Sequence, residues 1–179
     1  MRGSKTVTAI VLLIAAAASA SAGSITEDGK KFSMSSSDIA DVRKQINKCH
    51  ATPEPDGSNA SPCHWFHRME KTCGFTVPLE IDDDYIMWNT SHSMNVLGNT
   101  DMFGLWANYC ERSDDYKKNI RTKIKKMKFS WDPKLSGKCS TQEPVKLDFD
   151  AKSGTIHFTE SNCFDEIQPQ LEAWIKKNL

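Results

Sequence analysis

VKLDFDAKSGTIHFTE, Val145 to Glu160, is the stretch that decides the fold. Val145, Leu147 and Phe149 alternate with Lys146, Asp148 and Asp150, and Ile156 and Phe158 alternate with Thr155, His157 and Thr159. A period of two marks a strand with one buried face. The residues AKSG between the two runs, with glycine last, suit a hairpin loop. Pairing Phe149 with Ile156 also sets Leu147 opposite Phe158, because the residue numbers of each pair sum to 305. One face of the hairpin is then apolar throughout, and a slip of one residue would turn that face to water.

Outward from the hairpin, KMKFSW (Lys126–Trp131) alternates in the same way, with Met127, Phe129 and Trp131 on one side. FDEIQPQLEAWIKKNL closes the chain as a helix, Pro169 near its first turn, where a missing N–H costs nothing. Ile167, Leu171 and Trp174 or Ile175 would face the sheet. Toward the N-terminus the period becomes helical. Ser36-Ser37-Asp38 offers N-cap chemistry ahead of Ile39, Val42, Ile46 and Cys49 at helical spacing. TDMFGLWANYC reads as a helix capped by Thr100 or Asp101, with Met102, Leu105, Trp106 and Tyr109 on its apolar side. A further helix is capped by Ser113 and carries Tyr116, Ile120, Ile124 and Met127. HATPEPDGSNASP is loop chemistry, and PLEIDDDYIMWNTSHSMNVLGNT shows no clear period. The expected architecture is a single α+β domain over residues 36–179: N-terminal helices, a small antiparallel sheet with the C-terminal β-hairpin, then the closing helix. Residues 23–35, polar and aperiodic, read as a flexible N-terminal arm.

The compartment is read from the first residues. Arg2 and Lys5 precede a run of a dozen apolar or small residues, Val7–Ala18, and Ala20-Ser21-Ala22 gives the small-x-small pattern of a cleavage site. At about 1.5 Å per residue that run is too short for the ~30 Å hydrocarbon core, so residues 1–22 are expected to be a signal peptide rather than a membrane anchor. No transmembrane segment is expected in the rest, and the mature chain is expected to be secreted and extracellular. Removing residues 1–22 from the 179 leaves 157, enough for one well-filled core. The six cysteines, Cys49, Cys63, Cys73, Cys110, Cys139 and Cys163, then read as three disulfides supplementing that core. Extending the hairpin ladder brings the neighbourhood of Cys139 toward that of Cys163, the one pairing that register suggests. Asn59-Ala60-Ser61 and Asn89-Thr90-Ser91 are sequons, which predicts a glycoprotein with Asn59 and Asn89 exposed.

The 23 basic and 23 acidic residues balance, so no global field steers the chain toward nucleic acid or membrane. A local signal stands in YKKNIRTKIKKMK, where Lys117, Lys118, Arg121, Lys123, Lys125, Lys126 and Lys128 surround a narrow apolar stripe. Lys117, Lys118, Arg121 and Lys125 are the candidates for holding an anionic polysaccharide or surface, against the alternative of a solvated helix face whose lysines snorkel over the core edge. CHWFHRMEKTC, Cys63–Cys73, places His64 and His67 with Lys71 on one helical side, but zinc asks for three or four ligands and the cysteines are expected in disulfides. A short helix burying its aromatics and tethered at both ends is the expectation. EIDDDY lacks the donor alternation, glycine and glutamate of a calcium loop and reads as a turn with solvated aspartates. His92 is expected in a surface loop, and His157 opposite Asp148 as a cross-strand pair. No G-x-S-x-G, P-loop or H-E-x-x-H motif occurs. No catalytic residue, metal ligand or cofactor is therefore assigned.

FGLWANYC, Phe103–Cys110, resembles the His-Gly-Leu-Trp-Pro segment of the secreted acid ribonucleases, and HRMEKTC, His67–Cys73, resembles their second histidine motif. The two pieces occur in reverse order, and Phe103 stands where that family has its general-base histidine, so half of an acid–base pair is missing. The expected function is a secreted, disulfide-stabilised, non-enzymatic binding or interaction protein with an extracellular partner. The alternative is a small secreted hydrolase, ribonuclease-like or an inactive relative of one. Convergence of two among His64, His67, His92 and His157 in a pocket with a carboxylate or lysine would separate the two.

Overall fold

A computed structural model of the protein describes residues 21–27, 29–51, 63–92, 94, 100–135, 145–161 and 168–179. In chain order these form β1 (Ser21–Glu27), β2 (Lys30–Ser35), α1 (Ser36–Ala51), α2 (His64–Cys73), β3 (Leu79–Ile81), α3 (Asp83–Ser91), α4 (Thr100–Arg112), α5 (Asp114–Lys123), β4 (Lys126–Trp131), β5 (Val145–Asp150), β6 (Thr155–Glu160) and α6 (Gln168–Asn178). The fold class is α+β, as expected.

The hairpin adopts the expected register, Phe149 opposite Ile156, Leu147 opposite Phe158 and Asp148 opposite His157. Its turn is built by Asp150, whose carboxylate accepts from the Ser153 hydroxyl at 2.7 Å and the Lys152 N–H at 2.9 Å. Those two bonds hold the Asp150 carboxyl below its ordinary range, Ser153 contributing most. Gly154 closes the turn at φ +67°.

The sheet around the hairpin is mixed, not antiparallel. Its strand order is β3-β4-β6-β5; β3 and β6 both lie parallel to β4, and only β5 and β6 are antiparallel. A parallel junction needs a crossover, and α3, α4 and α5 supply one between β3 and β4. Phe129 of β4 and Phe158 of β6 stack at 5.1 Å on the inner face. Tyr85 of α3 and Phe103 of α4 pack on Phe129 at 5.7 and 6.2 Å. Trp174 of α6 meets Trp106 of α4 at 6.2 Å and Phe149 at 5.4 Å, which closes the layer of helices over the sheet. Leu171 and Ile175 are fully buried, and Pro169 sits in the first turn of α6.

Four other expectations are corrected. Residues 23–35 are not a loose arm: β1 and β2 pair antiparallel, with Ile25 and Met34 buried and Gly23 close against Met87. The cap of α1 is Ser35, whose hydroxyl accepts from the Asp38 N–H while the Asp38 carboxylate accepts from the Ser35 N–H, a reciprocal box one residue upstream of the predicted serines. The aperiodic stretch after Pro78 contains β3 and α3. Tyr85 through Asn89 are all buried there, and a helix enclosed on every side shows no amphipathic period. Asn89 is only 4% exposed and its Nδ2 donates to the Tyr85 carbonyl at 2.9 Å, so a glycan on Asn89 does not fit this fold.

α2 is the tethered short helix the sequence predicts. Cys49–Cys63 fastens its start to the end of α1, and Cys73–Cys110 fastens its end to α4. Gly74 ends it in the left-handed region, φ +70°, donating to the Glu70 carbonyl. Trp65 lies across Gly104 of α4, where a Cβ would come within 3.2 Å of the ring, so the glycine that weakens the helix is what admits the indole. Asn59, Cys139 and Cys163 lie outside the described residues.

Candidate functional site

Ser113 starts α5 as its N-cap, its hydroxyl accepting from the Asp115 N–H at 3.2 Å. Asp114 and Asp115 follow in the first turn and Arg121 and Lys123 stand in the last, the arrangement that complements a helix dipole. Ile120 is buried and Tyr116 packs edge-on to Tyr109 at 5.0 Å, which turns the basic residues outward. The helix ends at Lys123, earlier than its apolar stripe suggests. Ile124 caps it and Met127 belongs to β4.

The predicted basic residues are divided by the fold. Lys117 and Arg121 reach over the C-terminal end of α2: the Cβ position of Gly74 is 3.9 Å from the Lys117 ammonium and 4.0 Å from the Arg121 guanidinium. Lys118 is exposed on α5. Lys125 donates to the Arg121 carbonyl at 2.9 Å and turns toward the β5–β6 turn. Lys126 and Lys128 leave the cluster altogether. As strand residues they pair with Glu80 at 2.8 and 3.1 Å, and Lys128 also pairs with Asp82 at 3.3 Å. Those bonds lower the pKa of Glu80, Lys126 first, and raise that of Lys128, Glu80 first. By contrast, Lys117, Lys118, Arg121, Lys123 and Lys125 have no carboxylate within ion-pair distance among the described residues.

One cation, Lys152, joins this set from outside the basic stretch, and Lys123 takes a fixed place in it. The Lys125 N–H donates to the Gly154 carbonyl at 2.7 Å, which docks the β5–β6 turn against the end of α5 and brings Lys152 beside it. Lys123 donates to the Asn178 carbonyl at 2.7 Å, which fixes the end of α6 on the other side. Between these three elements lies a groove of about 600 Å³ lined by Thr122, Lys123, Lys125, Phe149, Ala151, Lys152, Ser153, Gly154 and Asn178. Among the described residues no acidic side chain lines it. Lysine in the turn was visible in the sequence; its meeting with α5 depends on a pairing between distant segments.

The histidines do not converge on this groove. His64 packs edge-on to Trp65 at 5.2 Å, and a His67 ring nitrogen bonds the Cys49 carbonyl. Glu70, one turn from His67, is pushed up by burial against the opposing pull of that histidine. His92 is no loop residue: it caps α3, bonding the Trp88 carbonyl at 2.9 Å and the Glu27 carboxylate at 3.2 Å. His157 lies opposite Asp148, but its hydrogen bond runs the other way, to Ser130 Oγ on β4 at 2.7 Å. Asp148 pairs instead with Lys146 at 2.8 Å. The aspartates of EIDDDY form the N-cap and first turn of α3, with Asp83 held by Arg43 at 2.6 Å.

The two segments that resemble the acid ribonucleases lie side by side, on α2 and α4. Phe103 is 1% exposed and packs edge-on to Phe66 at 5.3 Å, so its position is core. Among the described residues no group of three or more His, Cys, Asp or Glu side chains is placed to hold a metal ion, and no helix is long and apolar enough to cross a membrane. Comparison with known protein families, curated proteins and solved structures finds no match for this chain.

Proposed function

We propose that the mature chain is a secreted, non-enzymatic binding protein that takes an anionic polysaccharide on the basic face of α5. One observation carries this reading: in a chain of zero formal net charge, Lys117, Lys118, Arg121, Lys123 and Lys125 share one helix and its end without a carboxylate partner among the described residues, while the neighbouring strand lysines are paired. An unneutralised cluster of this kind attracts a polyanion and releases its counterions, an interaction that salt screens. The leader-like residues 1–22 and the two disulfides agree with an extracellular location.

Chromatography of the mature protein on immobilised heparin tests the proposal. Retention is expected at low salt and should fall steeply as salt rises. Reversing Lys118, Arg121 and Lys125 to glutamate should abolish it while leaving the thermal midpoint within a few degrees. Weak retention, unchanged by the reversal, would return these lysines to a solvated helix face. Binding to phosphatidylserine vesicles without binding to heparin would replace the polysaccharide by a membrane surface. The hydrolase alternative predicts RNA cleavage by the purified protein that is lost in His67→Ala.

A further inference from the structure

We infer that the groove between the C-terminal ends of α5 and α6 and the β5–β6 turn seats one anionic saccharide unit, its ring against Phe149 and its sulfate or carboxylate toward Lys123, Lys125 and Lys152. This rests on the polysaccharide reading of α5 and adds to it a concave site with a defined occupant. A convex helix face can hold a polyanion only by charge, without fixing its register. The groove can fix one: at about 600 Å³ it falls within the roughly 300–1,000 Å³ range of small-ligand sites.

Three features give it that chemistry. Its cations are positioned in advance. Lys123 and Lys125 each spend one ammonium N–H on a backbone carbonyl, Asn178 at 2.7 Å and Arg121 at 2.9 Å, and keep two for a ligand. Side chains already held lose less freedom on binding than free lysines would. The acidic side chain between its lining residues Phe149 and Ala151 is engaged elsewhere: Asp150 does not line the groove and is occupied by the Ser153 hydroxyl and the Lys152 N–H. Its aromatic wall is braced, since Phe149 meets Trp174 edge-on at 5.4 Å. The electron-rich face of a fixed ring attracts the C–H edge of a sugar and adds nothing for a bare inorganic anion.

Titration of the mature, isotope-labelled protein followed by amide NMR decides it, with a sulfated heparin disaccharide, inorganic sulfate and maltose as probes. The disaccharide is expected to shift the amides of Ala151, Lys152 and Gly154 saturably. Its affinity should fall about tenfold in Lys152→Glu, an exposed position that bears on no packing, and severalfold in Phe149→Leu, which keeps an apolar side chain against Trp174. Long-chain heparin retention, set by the helix face, should be lost in Lys118→Glu with Arg121→Glu, a pair whose side chains do not line the groove and whose backbone carbonyls, which hold Thr122 and Lys125, are kept. If long heparin is retained and the disaccharide leaves the groove amides unmoved, the groove site is wrong and the helix face stands. If neither binds, both readings fall. Equal affinity for inorganic sulfate would overturn the saccharide, and equal affinity for maltose would overturn the role of charge.

Discussion

Gly154 holds φ at +67° and turns its Cα toward the end of α5, where an added Cβ would stand 2.6 Å from the Lys123 carbonyl oxygen and 2.7 Å from Lys125 Cγ. Gly29, in the turn between β1 and β2, has φ +76° and nothing within 4 Å of the same position. The two glycines therefore separate a conformational cost from a steric one. Gly29→Ala meets only the left-handed penalty, about 1 kcal/mol, or roughly 3 °C for a domain of this size. Gly154→Ala meets that penalty and a backbone clash, and should cost about 2–4 kcal/mol. Thermal unfolding of the two variants followed by circular dichroism gives the comparison, and equal losses would show that the turn slides off α5 without strain. Asn89 shows the limit of reading at this scale. Asn89-Thr90-Ser91 is a correct sequon by pattern, but three letters carry no depth, and the asparagine is buried with its amide bonded to the Tyr85 carbonyl.

Elements with one wet face were legible from their period. The β5–β6 register, α1 and the start of α5 follow from local periodicity, because burial on a single side writes that side into the sequence. α4, by contrast, is buried at every position from Met102 to Ala107 and owed its legibility to its apolar spacing and capping residues rather than to a wet face. α3 is enclosed all round, and β3 has only three residues, so neither leaves a period. Among the described residues β1 and β2 contribute one buried apolar side chain each, Ile25 and Met34, too few to distinguish them from a polar arm. Parallel pairing was invisible for another reason, since its partners are set by crossovers rather than by neighbouring residues. One consequence of that pairing is a row across four strands, Glu80, Lys128, His157 and Asp148. Burial depresses the His157 pKa below its ordinary 6.5, and Lys128 and Lys146 add to it, against the opposing pull of Asp82 and Asp148. The unfolded chain then takes up this proton at a higher pH than the folded one. The contribution of His157 to stability is full above pH 6.5 and is lost as pH falls through the lower, folded value. An NMR titration of the His157 ring should show a midpoint below 6.5 that rises in Lys128→Met, and the acid-side loss of thermal stability should shrink in His157→Gln. A midpoint at or above 6.5 would contradict the placement of His157 beside Lys128.

Across the whole molecule the two bridges fall on one half. Cys49–Cys63 and Cys73–Cys110 join α1 to α2 and α2 to α4, and neither touches β4, β5 or β6. They also use four of the six cysteines, so Cys139 and Cys163 have only each other left as partners within the chain. These two residues flank the hairpin in sequence, and the observed ladder, whose paired numbers sum to 305, extrapolates to Cys139 opposite position 166 and Cys163 opposite position 142. An offset of three residues is within the slack of chain leaving a ladder, and a disulfide needs the Cα atoms to approach about 5.5–6 Å. Such a bridge would clamp the open end of the hairpin, as Gly154 and Asp150 fix its closed end. Closing a loop of this length stabilises by about 3 kcal/mol in the chain-entropy model, worth roughly 10 °C here. Replacing Cys139 and Cys163 together by serine should lower the thermal midpoint by about that amount and leave the two helical bridges in place. It should also weaken the heparin disaccharide at the groove if the loosened hairpin lets its turn draw away from α5. Peptide mapping without reduction reads the connectivity directly. Free thiols at both positions would leave the open end of the hairpin without a covalent clamp, and a link from either to another chain would make the third bridge an intermolecular one.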